Sequence, residues 1–333
     1  MPEGITIALL VVLFLAIAFD YINGFHDTAN AIATSVSTRA LKPQWAIAMS
    51  SVANFVGALT GTEVAKTIGT GIISSASEGQ AVIAAALIGA IFWNLFTWRL
   101  GIPSSSSHAL IGGLLGGAAA AAGFGAWQVD GIIGKVLVPL VSSPIVGFAL
   151  GLALMVLIFN VFRRAHPKTM NDRFRRLQVL SAAYMAFSHG SNDAQKTMGV
   201  MTFALFSAGV ISAFEVPLLV KLAAATAISL GTAAGGWRII KTMGTRVVKL
   251  DPVHGFAAET TAATIIFGAS QLGMPVSTTH VISSAIMGTG ASDRFNAVRW
   301  GVARQIGIAW VLTIPASAIV AAVSYFLLKP LLG

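Results

Sequence analysis

The chain has 333 residues, of which 56% are hydrophobic and only 10% charged. Soluble domains carry roughly 25% charged residues, so the composition excludes a soluble globular enzyme and describes an integral membrane protein. It contains no cysteine, which excludes disulfides and thiolate metal sites, and its formal net charge of +9 has to be interpreted from where the basic residues fall.

Ten apolar stretches follow one another near 5–34, 45–62, 81–98, 103–124, 136–162, 177–208, 214–235, 254–271, 275–291 and 298–328. Most approach the roughly 20 residues of a spanning helix, so the expected fold is an all-α polytopic membrane protein. The first stretch has no basic run before it and leads into Asp20, so it is expected to be a mature span, not a cleaved leader. Between the fifth and sixth stretches lies a basic linker, 163–176, holding Arg163, Arg164, Lys168, Arg173, Arg175 and Arg176. With that linker in the cytoplasm, alternation places fifteen of the twenty-one basic residues inside, as the positive-inside rule requires, and puts both termini outside. The basic charge is therefore topological, and no nucleic-acid partner is expected.

Four polar motifs interrupt the apolar pattern, in two matched pairs. Asn23-Gly24-Phe25-His26-Asp27-Thr28-Ala29-Asn30 is echoed by His189-Gly190-Ser191-Asn192-Asp193-Ala194-Gln195-Lys196. Gly101-Ile102-Pro103-Ser104-Ser105-Ser106-Ser107-His108 is echoed by Gly273-Met274-Pro275-Val276-Ser277-Thr278-Thr279-His280. Between them, Lys66-Thr67-Ile68-Gly69-Thr70 returns as Lys241-Thr242-Met243-Gly244-Thr245. Three landmarks in one order indicate duplication: a first half over 1–162, the linker over 163–176 and a second half over 177–333. Five segments per half is an odd number, so the second half enters the membrane from the opposite side, giving an inverted repeat. The stretches 103–124 and 275–291 open on Gly-x-Pro and are rich in small or hydroxyl residues, so each half is expected to carry a broken or re-entrant helical hairpin.

Polar and ionisable clusters are costly in lipid unless they face a cavity or one another, so they mark a transport path. Ser104, Ser105, Ser106 and Ser107, and Ser277, Thr278 and Thr279, follow prolines at helix starts, where hydroxyl caps, free N–H groups and the helix dipole converge into an anion site. Two such ends could hold a tetrahedral oxyanion without arginine. Asp27 and Asp193 are candidate cation-coupling residues, with Asn23, Asn30 and Asp20 on a similar helical face as Asp27. A carboxylate with amide oxygens suits sodium, and a carboxylate beside histidine, as in His26-Asp27, suits a proton relay. Glu259 is a further intramembrane carboxylate and a candidate for cation coupling, and Lys196, in the slot of Asn30 in the second copy, is expected to contact the anion or to neutralise Asp193. No His-x3-His or Glu-x2-His spacing indicates a fixed metal site. The structural alternatives are hydroxyls bonded to their own helix and carboxylates serving as buried caps.

These four motifs together resemble the inorganic phosphate transporter (PiT) family over nearly the whole chain. The resemblance implies a phosphate symporter, usually dimeric, in which the matching Asp27, Asn30, Asn192 and Asp193, Ser104 to Ser107 and Ser277 to Thr279 line phosphate and cation sites. Many sodium-coupled members have Asn at the position of His26 and Ala-Asn at Gln195-Lys196; these departures resemble the bacterial low-affinity phosphate permeases, which implies proton coupling and an ability to carry a neutral divalent metal–phosphate complex. The expected protein is a proton-coupled phosphate symporter of the bacterial inner membrane and not an enzyme, working by alternating access with phosphate between the hairpin starts and broken first helices of each half. It needs no cofactor beyond a co-transported cation. The alternatives are sodium coupling, another oxyanion such as sulfate, an oxyanion channel and, last, an intramembrane metallohydrolase.

Overall fold

Helices begin where the sequence supplies an acceptor for free N–H groups or a proline that needs none. In the computed structural model, which describes residues 6–73 and 79–332, Thr6 caps α1 (Ile7–Ser37) by accepting from the Leu9 amide. Prolines open α2 (Pro43–Ala58), α8 (Pro167–Ser207) and α11 (Pro252–Gln271), the last capped by Asp251. Between these lie α3 (Glu63–Thr70), α4 (Gln80–Leu100), α5 (Ser106–Ala122), a short α6 (Val129–Ile132) that runs through a wide turn into α7 (Val138–Val161), α9 (Leu218–Ala234) and α10 (Trp237–Lys241). The chain closes with α12 (Thr278–Asp293) and α13 (Trp300–Leu332). Among the described residues the only strand-like feature is one isolated bridge, Ile73 to Trp127.

Each apolar stretch falls on one of these helices. By length and composition α1, α4, the α6–α7 run and α13 are able to cross a membrane, and α9 qualifies with the segment Trp237–Arg246, to which it is bent by 61°. The helices α2, α5 and α12 have 16, 17 and 16 residues, about 24–26 Å at 1.5 Å per residue, against a hydrocarbon core of about 30 Å. Accordingly α5 and α12 begin inside the protein: Ser104 to His108 and Ser277 to His280 are all buried. Most of the basic stretch 163–176 is helical, forming the first turns of α8 from Pro167.

The same order of elements runs through both halves, α1 to α5 and α7 corresponding to α8 to α12 and α13. The contacts correspond as well: α1 packs on α9 and α8 on α2, α5 on α13 and α12 on α7. Gly24 and Gly190, equivalent in the repeat, permit the first two approaches. A Cβ at Gly24 would lie 2.3 Å from the Ile228 carbonyl, and one at Gly190 would lie 2.2 Å from that of Asn54. Two apolar clusters result. One joins Leu9 to Phe19 of α1 with α4, α5 and the end of α8; the other joins Ala29 to Ala33 with α11, α12 and the middle of α8. The polar residues 20–28 and 188–193 lie at the waist between them.

Candidate functional site

The first-motif pair does not break its helices, contrary to the sequence expectation. Both α1 and α8 run on unbroken through Gly24 and Gly190, because those glycines serve helix contact and keep helical dihedrals. Only the second-motif pair breaks the chain, at Gly101 and Gly273, both at φ +67°, a left-handed conformation that glycine adopts without steric cost. Each break is held from the other half: Thr242 donates to the Gly101 carbonyl at 2.8 Å and Thr67 to the Gly273 carbonyl at 2.7 Å. The repeated Lys-Thr-x-Gly-Thr landmark therefore clamps the hairpin of the opposite half.

Past each break the hydroxyls divide their work. Ser105 and Ser277 cap their own helices, accepting from the His108 and His280 amides at 3.2 Å each. The next residues face the first motifs. Ser106 donates to Asp27 Oδ2 at 3.0 Å and Thr278 to Asp193 Oδ2 at 3.1 Å. Asn30 donates across the halves to Thr278 at 3.2 Å and Thr279 at 2.9 Å. Lys196, its counterpart, reaches the other way to Ser107 Oγ, and within its own half it donates to the Val276 carbonyl at 3.0 Å and pairs with Asp193 Oδ1. His26 Nδ1 donates to Asp27 Oδ1 at 2.7 Å, and its Nε2 lies 3.1 Å from Thr97 Oγ1, which in turn contacts Ser104 at 2.8 Å.

All these side chains are buried. Hydroxyls, an amide and an ammonium converge on the starts of α5 and α12, as an oxyanion requires. Two carboxylates and one ammonium stand among them, so with neutral histidines an anion arriving alone meets a net negative centre. Ligand atoms of Asp27, His189 and Asp193 lie within 4.8 Å of one another, a geometry able to hold a cation. A search for metal spacing along single helices misses it because Asp27 comes from α1 and the other two from α8.

Other expected residues lie elsewhere. Glu259 forms a separate buried cluster, accepting from Thr34, from Gln178 at 3.1 Å and from Ser181 at 2.5 Å. Asn192 donates to the Met274 carbonyl at 3.2 Å, at the second break. Asn23 is buried and its Oδ1 has no partner among the described residues. The sequence reading omitted Thr97, Gln178 and Ser181, which sit in no motif and stand out only by polarity inside apolar helices. Histidines 108 and 280 meet with ring centroids 4.7 Å apart, and His280 stacks on Trp310 at 3.9 Å.

Known proteins repeat this architecture. The model of the Phosphate transporter family matches residues 23–321. A "Probable low-affinity inorganic phosphate transporter" of Bacillus subtilis (strain 168) is 52% identical over 323 residues, spanning 96% of this chain and 97% of that protein. A protein of the same description from Rhizobium meliloti (strain 1021) is 50% identical over 314 residues, covering 94% of each. A solved structure described as "The sodium-dependent phosphate transporter" superposes with a TM-score of 0.91 at 26% identity, over 98% of this chain and 100% of that one. The chain is an integral membrane protein, and it belongs to the phosphate transporter family, a family of transporters and not of enzymes.

Proposed function

We propose that the protein is a secondary active symporter that imports inorganic phosphate with protons by alternating access. The observation that carries this reading is the interlocking of the two site types: Ser106 bonds Asp27 and Thr278 bonds Asp193, at the starts of α5 and α12. An anion drawing those hydroxyls away must disturb the carboxylates, so anion and cation occupancy are coupled. Coupling is also an energetic need, since moving one negative charge against 100 mV costs about 2.3 kcal/mol. Phosphate is held by Ser106, Ser107, Thr278, Thr279, Asn30 and Lys196, with Ser104, Ser105, Ser277 and Asn192 shaping the helix starts around it. Asp27 and Asp193 carry the coupled charge, assisted by His26 and Asn23, with Glu259 a carboxylate outside the central cluster.

Proton coupling is favoured because the Lys196 ammonium already balances the charge of Asp193 in this state, which weakens the attraction there for a sodium ion. Sodium coupling is the second reading, favoured by the description of the structural relative as sodium-dependent. The Asp27–His189–Asp193 geometry is compatible with carriage of a divalent metal–phosphate complex. The reciprocal clamps Thr67–Gly273 and Thr242–Gly101 support a two-fold relation between the halves. The odd number of segments per half and the placement of basic residues support its being inverted, with both termini outside an inner membrane; the working unit is a homodimer. Labelled phosphate uptake into proteoliposomes, with proton and sodium gradients imposed separately, tests the reading. Accumulation driven by protons alone is the expected result, a strict sodium requirement reassigns the carboxylates, and downhill flux alone makes the protein a channel.

A further inference from the structure

Beside the interlocked pair lies a second polar cluster for which the phosphate site has no use. Both carboxylate oxygens of Asp20, Oδ1 of Asn23 and Oγ1 of Thr197 are buried with no hydrogen-bond partner among the described residues. Their residues are 0%, 1% and 0% exposed. Asp20 and Asn23 are one turn apart on α1, and Thr197 follows Lys196 on α8. Thr197 and Asn23 are the polar side chains beside Asp20, and Asp193 and Lys196 are the charged groups that act on it. The position equivalent to Asp20 in the second half is Ala186, so the carboxylate is no requirement of the repeat's packing.

The cluster is short of positive charge. The Thr197 hydroxyl and the Asn23 amide N–H groups are its donors, and both are neutral. An ionised carboxylate so enclosed carries a desolvation cost that neutral donors offset only in part. A single monovalent cation resolves the deficit. A proton on Asp20 donates to Asn23 Oδ1 while Thr197 donates to the carboxyl; a sodium ion takes carboxylate, amide and hydroxyl oxygens as ligands.

We propose that Asp20, with Asn23 and Thr197, is a second monovalent-cation site, distinct from the Asp27–Asp193 pair and loaded once per transport cycle. This rests on the symport reading. Thr197 adjoins Lys196, so when Lys196 leaves Asp193 for an incoming anion, the charge felt at Asp20 changes, and by linkage the cation at Asp20 alters anion affinity equally.

The test is reconstituted protein in which labelled phosphate, proton and sodium fluxes are measured together for wild type, Asp20→Asn and Thr197→Val. Asp20→Asn is expected to keep phosphate–phosphate exchange within about twofold, to move one fewer cation per phosphate and to lose gradient-driven accumulation by about tenfold or more. Whichever flux falls identifies the ion as proton or sodium. Thr197→Val is expected to keep the stoichiometry and raise the half-saturating cation concentration about fivefold, the loss of one hydrogen-bond-strength contact, with the phosphate KM unchanged. An unaltered cation-to-phosphate ratio in Asp20→Asn overturns the proposal; if that variant does not fold, an unaltered cation dependence in Thr197→Val does so. Should wild type carry no phosphate with any cation, the symport reading fails instead. The site then depends on thermal stabilisation by sodium or by lower pH in wild type: its loss in the variants supports the site, and its persistence in them, or its absence from wild type, overturns it.

Discussion

Lys196 is the residue on which the centre turns. It pairs with Asp193 and contacts Ser107 of the other half, with its side chain fully enclosed. Replacing it with methionine leaves Asp193 buried without a counter-charge, which typically costs about 3–5 kcal/mol. The expected result for Lys196→Met is a large fall in melting temperature in detergent, most of which Asp193→Asn restores in the double variant. Asp27→Asn differs: it keeps an oxygen for the Ser106 hydroxyl, removes the charge, and turns the His26 contact into one in which the other imidazole tautomer accepts from the new amide. That variant is expected to keep its melting temperature, whereas Asp193→Asn alone leaves Lys196 unpaired and is expected to lower it. Both are expected to lose phosphate accumulation, and normal accumulation by both would remove the carboxylates from coupling. His26 and Asp27 are adjacent in the chain, so their pairing was open to sequence reasoning. Thr97 was not, because it reaches His26 from 71 residues away, on α4.

At the scale of elements, α5 and α12 are short helices that begin in the interior, and their first hydroxyls have two separable jobs. Ser105 and Ser277 satisfy their own helix starts, while Ser106 and Thr278 face the carboxylates. Ser105→Ala and Ser277→Ala are each expected to cost about 1 kcal/mol of stability, read as comparable drops in melting temperature, with little change in the phosphate KM. Ser106→Ala is expected to raise that KM with little loss of stability. If the cap variants raise KM as strongly as Ser106→Ala, their hydroxyls contact phosphate directly. Both breaks were legible in advance, because Gly-x-Pro stops one helix and starts another. The unbroken course of α1 and α8 was not. A glycine beside polar residues resembles a break in sequence, and only the close passage of α9 over Gly24 and of α2 by Gly190 shows that it serves contact.

Across the whole molecule, the matched motifs occur once in each half of the chain and packing exchanges them between the halves. An inverted arrangement places Lys66 and Lys241, equivalent in the repeat and both exposed, on opposite sides of the membrane. The absence of native cysteine makes this directly measurable. A cysteine introduced at Lys66 is expected to react with an impermeant maleimide from outside, and one at Lys241 only from inside. Labelling of both from one side would falsify the inversion.

Membrane embedding, the order of the ten long apolar helices and the family were legible in the sequence alone, whereas the short helices α3, α6 and α10 were not. Apolar length, charge placement and repeated motifs are properties of the chain that need no folding to be read. The tertiary structure decided which copies meet. Asn30 finds Thr279 from 249 residues away, Glu259 is drawn off into a cluster with Thr34, Gln178 and Ser181, and Asp20 is left without a hydrogen-bond partner among the described residues. Local pattern specifies which face of a helix is polar. Which polar face it meets is settled only when close-packed helices from both halves exclude every other pairing.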